Sequence, residues 1–371
     1  MATSVPMDTV GHQRRNEPMN TNTVCTDTKQ RSRTLGCLLG GAVGDALGAP
    51  VAAWPFEEIR RRYGNAGIAG YERAFGRRGA VTDNTRLTLF TAEGLILSKM
   101  RPEYALGKQA AAAVYHAYLR WLYTQDTGRQ NQLVNAHGTC AVIDGILAGH
   151  RDMFSPRAPD PACLAALRSG TMGTLDAPVN ARQGCGGLVR TAPVGLALTD
   201  AKQAFQLGCA TASITHGHPG GYLPAGFLAA LLSGIVVGAT LQDSVTSANG
   251  ILKTYAGHET CLQAVEKAWN MARHRQAIEI LGAGQRAVEV LAVALYCAST
   301  AADDFGRGVL AAVNHSGKSD ACGAVAGSIL GACFGVDAIP KAWLADLELK
   351  DIILEIAGDL FDQVIDANAQ E

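Results

Sequence analysis

Long apolar runs, paired cysteines and an excess of charge of either sign are all missing from this chain. No continuous apolar run reaches the roughly 18 residues that cross a bilayer, so a membrane span is not expected. The N-terminus has no apolar core of the kind a secretory leader carries. The ten cysteines are scattered without a CxxC pair, which argues against a zinc-knuckle or dithiol motif. Cys37, Cys209, Cys297 and Cys333 lie in apolar helical stretches and read as small core residues. A reducing cytoplasm is the simplest setting. Charged residues make up 18% of the chain and the net charge is -1, so there is no global attraction to nucleic acid or to an anionic membrane. Neither is expected as a partner. Alternating runs of Val and Ile bounded by turns are also lacking, which excludes a sheet-based core.

What is present is an Ala-, Leu- and Gly-rich sequence, 48% hydrophobic, with apolar positions at helical spacing. These stretches cover residues 34–48, 85–100, 104–123, 133–149, 200–214, 219–239, 263–273, 285–300, 304–313, 322–334 and 348–366. They predict one compact all-α, multi-helix bundle over residues 34–371, with Thr34 as the first N-cap. The 42 glycines point to close helix packing and to helix ends built around a site. Residues 1–33, polar and aperiodic, read as a separate N-terminal extension: a tail by composition, or an arm that orders on a partner. The segments 50–84, 151–188 and 240–262 read as long loops. The first carries Arg60, Arg61, Arg62, Arg73, Arg77 and Arg78, either a solvated basic loop or a rim for phosphates or an acidic protein face.

Five segments carry candidate chemistry. GGAVGDALGAP (40–50) lets a backbone approach something closely. Thr82, Asp83 and Asn84 are consecutive oxygen-bearing side chains before an apolar helix. They suit an N-cap box, or a hard-cation site. The glycines of VNARQGCGGLVRTAPVG (179–195) can present backbone N–H groups to an anion. His216 and His218 precede a helix in THGHPGG, where a structural role is the ordinary one. Asp320 opens the Gly/Ala-rich helix after AVNHSGKSD, where the helix dipole favours a carboxylate.

In this order the five segments resemble the ADP-ribosylglycohydrolase family, from about Leu35 to Gly335. TDNTRLTLFTAEGL, GCGGLVRTAPVG, THGHPGGYLPAG and NHSGKSDACGAVAG carry the resemblance. It implies an all-α bundle that removes ADP-ribose from modified side chains, usually arginine, using two Mg2+ or Mn2+ ions. It also implies a ligand-binding cleft formed by Asp45, Gly184, Cys185, Gly186, Gly187, His216, Gly217, His218, Ser316 and Gly317.

Four positions depart from the family pattern. Asn84 stands for the second Asp of Thr-Asp-Asp-Thr. Lys318 and Ala321 replace an Asp and a hydroxyl in Gly-Asp-x-Asp-Ser/Thr. Ala52 stands where a Glu is usual. Thr82, Asp83 and Asp320 remain as residual metal ligands, enough for at most one weakly held ion. An ammonium group has no lone pair for a metal, so Lys318 is expected to pair with Asp83 and Asp320 as a built-in cation. Hydrolysis is then expected to be absent or very weak. The leading expectation is a pseudoenzyme that acts as an immunity protein, occluding an ADP-ribosyltransferase toxin domain with residues 1–33 and the Arg-rich loop. The alternatives are an active hydrolase with an altered metal site and a non-cleaving binder of ADP-ribose.

Overall fold

The computed structural model describes residues 21–100, 109–274 and 276–365, and helices dominate it. The chain opens with α1 (Thr21–Gly48), α2 (Phe56–Tyr63), the two-residue strands β1 (Arg73–Ala74) and β2 (Arg77–Arg78), α3 (Asp83–Met100) and α4 (Ala110–Gln125). Then come α5 (Gln130–His137), α6 (Thr139–Val142), α7 (Pro161–Arg168), α8 (Ala192–Ala197), α9 (Ala201–Ser213) and α10 (Pro219–Val236). The last third holds α11 (Leu241–Leu252), α12 (Glu259–Asn270), α13 (Ala277–Leu281), α14 (Ala287–Thr300), α15 (Phe305–Val313), α16 (Ser319–Phe334), α17 (Lys341–Ala345) and α18 (Lys350–Leu360).

The centre of the bundle is the pair α1 and α16, and glycine explains it. Gly36, Gly40 and Gly44 recur every fourth residue on α1, facing Gly331, Gly327 and Gly323 on α16. A Cβ built on any of them would run into the backbone of the other helix. Removing side chains along both ridges lets the two backbones touch. This contact brings Asp45 of α1 beside the first turn of α16, where Asp320 lies. Around the pair the core is continuous, with α3, α8, α10, α14 and α15 packed against it.

Two helices, one within Asp27–Val51 and the other α10, are long and apolar enough to cross a membrane. In each, 83% of the apolar window is buried within the fold. Their apolar surface therefore faces neighbouring helices, a case the search for one continuous apolar run overlooked.

The structure corrects four sequence expectations. First, α1 does not begin at Thr34. It starts at Thr21, and the Thr34 hydroxyl donates to the Gln30 carbonyl one turn back. Residues 27–33 are helical and docked. Arg31 pairs with Asp362, Arg33 donates to the Ile235 carbonyl at 2.9 Å, and Ser32 accepts from Val336 N. The rest of the proposed arm, residues 1–20, lies outside the described residues. Second, 133–149 is broken at Gly138, whose φ of 79° ends α5 in a conformation that disfavours a side chain. Third, 240–262 is not a loop. Thr240 caps α11 by accepting from Asp243 N, and Val245, Ala248 and Leu252 bury one face. Fourth, residues 50–84 hold α2 and a hairpin rather than irregular chain. In the hairpin Arg73 faces Arg78 and Ala74 faces Arg77. Phe75 and Gly76 turn it with positive φ at both positions, as tight hairpins require.

Candidate active-site cleft

Three elements deliver a cluster of oxygen-bearing side chains. Asp45 comes from α1, Thr82 to Asn84 from the start of α3, and Asp320 from the first turn of α16. Asp45 is fully buried and accepts five hydrogen bonds. Two come from Thr82, through N at 2.8 Å and Oγ1 at 2.7 Å. Two come from Thr85, through N at 3.3 Å and Oγ1 at 2.6 Å. The fifth comes from Asn84 Nδ2 at 3.3 Å. The same Asn84 amide nitrogen donates to Asp320 Oδ2 at 3.2 Å, so a neutral NH2 bridges two carboxylates. Burial, then the Asp320 charge, pushes the Asp45 carboxyl up to about 7, against the hydrogen bonds from Thr85 and Thr82.

Asp83 points elsewhere. Its Oδ1 accepts from Trp121 Nε1 at 3.1 Å and its Oδ2 from Arg157 N at 3.0 Å. Burial raises its pKa. Thr82 Oγ1 also accepts from Asn84 N at 3.1 Å, so the capping role expected of this segment is fulfilled. Glu348 ties together the segments next to the cluster. It is buried, accepts from Val81 N at 2.9 Å and pairs with Arg157 at 3.0 Å.

The cleft above the cluster has a volume of about 440 Å³. Asp83, Asn84, Asp160, Gly184 to Gly186, Lys318, Asp320 and Ala321 lie on its walls, with Arg182, Gln183, Gln285 and Arg286 at its margin. Cys185 is buried, which pushes its thiol up to about 12 despite the positive charge of Lys318. Asp160 caps α7 by accepting from Ala162 N at 2.7 Å. Behind Asp160 lies His216, with Nε2 3.6 Å from Asp160 Oδ2. Burial lowers the pKa of the imidazole, favouring its neutral form. Gly186 sits against both: a side chain there would meet Asp160 Oδ2 and the His216 ring.

The predicted site residues divide by position. Gly184, Cys185, Gly186, Asp83, Asn84, Lys318, Asp320 and Ala321 share the cleft. Asp45, Thr82 and His216 are buried behind its wall. Gly187 packs on Ala212, and Gly217 on Asn180 and Pro178. His218 caps α10, accepting from Gly220 N at 2.9 Å. Ser316 and Gly317 hold the loop that carries Ala52: Ser316 Oγ accepts from Phe56 N, and Gly317 O accepts from Ala53 N at 2.6 Å. Ser316 lines a different cavity, beside Phe56 and Glu279.

The expected pairing of Lys318 does not form. Lys318 borders the same cleft as Asp83 and Asp320, yet it has no ion pair among the described residues. Trp121 and Arg157 already hold both oxygens of Asp83, whereas Asn84 holds only Oδ2 of Asp320, leaving Oδ1 without a partner.

The basic loop also divides. Arg60 and Arg61 pair with Glu57 and Glu58 on α2, and Arg62 lies over Trp54 and Tyr63. Arg73, Arg77 and Arg78 are exposed on the hairpin beside Phe75, whose carbonyl accepts from Arg157.

Trp121, Arg157, Asp160 and Glu348 were not singled out from the sequence. Each lies far along the chain from the residues it contacts. The one local signal was Asp160-Pro161 ahead of an apolar run, the pattern of a capped helix start.

The family model for ADP-ribosylglycohydrolase matches residues 26–370. The chain is 26% identical over 345 residues to ADP-ribosyl-[dinitrogen reductase] glycohydrolase of Rhodospirillum rubrum, covering 90% of this chain and 99% of that one. It is 25% identical to ADP-ribosylarginine hydrolase Tri1 of Pseudomonas putida, covering 91% and 81%. Human ADP-ribosylhydrolase ARH3 is 21% identical, covering 85% and 89%. A solved structure described as an ADP-ribosylglycohydrolase-related protein complex superposes with a TM-score of 0.64 at 25% identity, over 91% of this chain and 99% of that one.

Proposed function

The chain belongs to the ADP-ribosylglycohydrolase family, and from that premise we propose that it binds an ADP-ribosyl group in this cleft without cleaving it by the family's two-cation route. One observation carries the reading. The Asn84 amide donates to Asp45 and to Asp320 at once, where a cation site needs converging acceptors.

The residues present do not fit two Mg2+ or Mn2+ ions. Thr82 Oγ1 and both Asp83 oxygens already have partners. Ala321 has no donor atom, and Lys318 brings a positive charge to the same wall. Lys318, Arg182 and the backbone of the Gly184–Gly186 turn instead suit the phosphates of an ADP-ribosyl group.

The protein partner we propose is an ADP-ribosyltransferase domain of a toxin, occluded by the surface around the cleft. The exposed Arg73, Arg78 and Phe75 of the hairpin support this. Asp320 Oδ1, buried and without a partner, favours a second reading in which one divalent ion rests there and slow hydrolysis survives.

Restoring the family's carboxylates tests the first reading. The parent chain is expected to bind ADP-ribose calorimetrically with no dependence on Mn2+. The double variant Asn84→Asp, Lys318→Asp is expected to gain Mn2+ binding and to couple it to ADP-ribose. Two-site Mn2+ binding by the parent, with release of ADP-ribose from an ADP-ribosylated arginine protein at enzymatic rates, would overturn it.

A further inference from the structure

A second group of metal-ligating atoms lies beside the cleft, apart from the Asp45–Asp320 cluster. Asp160, Cys163 and His216 converge so that one donor atom from each lies within 4.8 Å of the others. Cys163 and His216 are buried, and Asp160 opens onto the cleft. His216 Nε2 has no hydrogen-bond partner although the ring is fully buried.

The hydrogen bonds around this group are compatible with Nε2 as a metal ligand. Thr215 Oγ1 lies 2.7 Å from Arg190 Nη2, which can only donate. It lies 2.8 Å from His216 Nδ1 and 3.8 Å from Cys163 Sγ. A hydroxyl has two acceptor sites and one proton. With a metal on Nε2, Nδ1–H and Arg190 donate to the hydroxyl and the hydroxyl donates to sulfur, so all three contacts are kept. That tautomer leaves the Nε2 lone pair facing Asp160 Oδ2 at 3.6 Å. Two acceptors then face each other with a thiol alongside, an arrangement that a cation completes.

We infer that Asp160, Cys163 and His216 form a binding site for a zinc-class divalent ion. The donor set of sulfur, imidazole nitrogen and one carboxylate suits zinc and its neighbours and is poorly suited to Mg2+. Tetrahedral zinc holds such ligands about 3.4–3.7 Å apart, and the His216–Asp160 separation already matches. Thiolate and carboxylate together neutralise a divalent ion. The thiolate keeps the Arg190 Nη1 donor, now 3.3 Å from Sγ, as metal-bound sulfurs commonly do. Three protein ligands leave the fourth position open on the Asp160 side, toward the cleft. The inference stands independently of the cleft's proposed role with ADP-ribose.

The test uses the full chain, stripped with a chelator and titrated with Zn2+, and with Co2+ as an optical probe. One equivalent is expected to bind, with the near-ultraviolet absorption of a sulfur–cobalt bond. Excess Mg2+ is expected not to displace it. Cys163→Ser is expected to abolish the sulfur band, and Asp160→Asn to weaken binding while its side-chain oxygen keeps the α7 cap. Thr215→Val retains the ligands but loses the hydroxyl that accepts from Nδ1–H once Nε2 holds the metal, and is expected to weaken binding about 10–100-fold. Asp320→Asn is expected to leave Zn2+ and Co2+ binding unchanged. No binding, or binding lost in Asp320→Asn and kept in Cys163→Ser, would overturn the assignment. Circular dichroism of each variant separates loss of a ligand from loss of the fold.

Discussion

A single amide decides the character of the carboxylate cluster. Two ionised aspartates held this close in a buried setting repel each other, and either a cation or a proton must relieve them. Asn84 supplies two donor hydrogens and no charge, so part of the repulsion remains and appears at Asp45, pushed up to about 7 by burial and by Asp320. An unfolded aspartate ionises near 4. Between those values the folded chain holds a proton that the unfolded chain has lost. The stability this contributes is fully present below about pH 4 and is lost as pH rises through about 7. Asp320→Asn removes the second of the two causes and lowers the Asp45 pKa. The variant is therefore expected to gain stability relative to the parent between pH 5 and 8, by on the order of 1 kcal/mol. Thermal melts of both proteins across that range measure it, and a constant difference would remove the coupling. The motif residues Thr82, Asp83, Asn84 and Asp320 were legible in the sequence because they are adjacent or sit at a helix start. Their partners Trp121, Arg157 and Glu348 were not. Each binds across 38 residues or more, and nothing local distinguishes them from other buried or surface residues. Lys318 was expected to pair with Asp83 and Asp320, and it forms an ion pair with neither. Chemistry alone showed which groups could pair, without showing which were already engaged.

At the scale of helices, the glycine ridges connect sequence to site. Gly36, Gly40, Gly44 and Gly323, Gly327, Gly331 are spaced by four in the sequence, so their alignment on one helix face was readable. That the two ridges face each other was not, because nearly 300 residues separate them. The periodic helices 85–100, 219–239 and 285–300 appeared close to their expected limits, since long apolar repeats dominate local preference. The helix α11 was missed because its polar residues outnumber its buried ones. Gly44→Ala places a methyl group against the carbonyl of Gly323 and must part α1 from α16. Overpacking of this kind costs about 1–3 kcal/mol. Because Asp45 follows directly, the substitution is expected to lower the urea midpoint and also to weaken binding in the cleft. Gly250→Ala on α11, where an added Cβ meets nothing within 4 Å, is the matched control and is expected to be neutral or slightly stabilising. Equal effects of the two substitutions would show that the ridge is not under packing constraint.

For the molecule as a whole, the first helix belongs both to the core and to the surface from which a partner arm was expected. Residues 27–33 are tied to three distant parts of the chain: Arg31 to Asp362, Ser32 to Val336 and Arg33 to Ile235. A deletion of residues 1–33 therefore removes these anchors together with any partner-binding segment. It is expected to lower the melting temperature, at roughly 1–2 °C per kcal/mol for a chain of this length. A deletion ending at residue 20 spares every one of these contacts. If an N-terminal arm occludes a transferase, this shorter deletion is expected to abolish co-purification with the transferase domain while the melting temperature stays within 1–2 °C of the parent. Retained binding in the shorter deletion would shift the interface onto the hairpin. There Arg73→Glu with Arg78→Glu is the corresponding substitution, since both side chains are exposed and neither has an ion pair to lose among the described residues. Binding that survives both changes would leave the cleft itself as the contact, with the ADP-ribosyl group as the shared ligand.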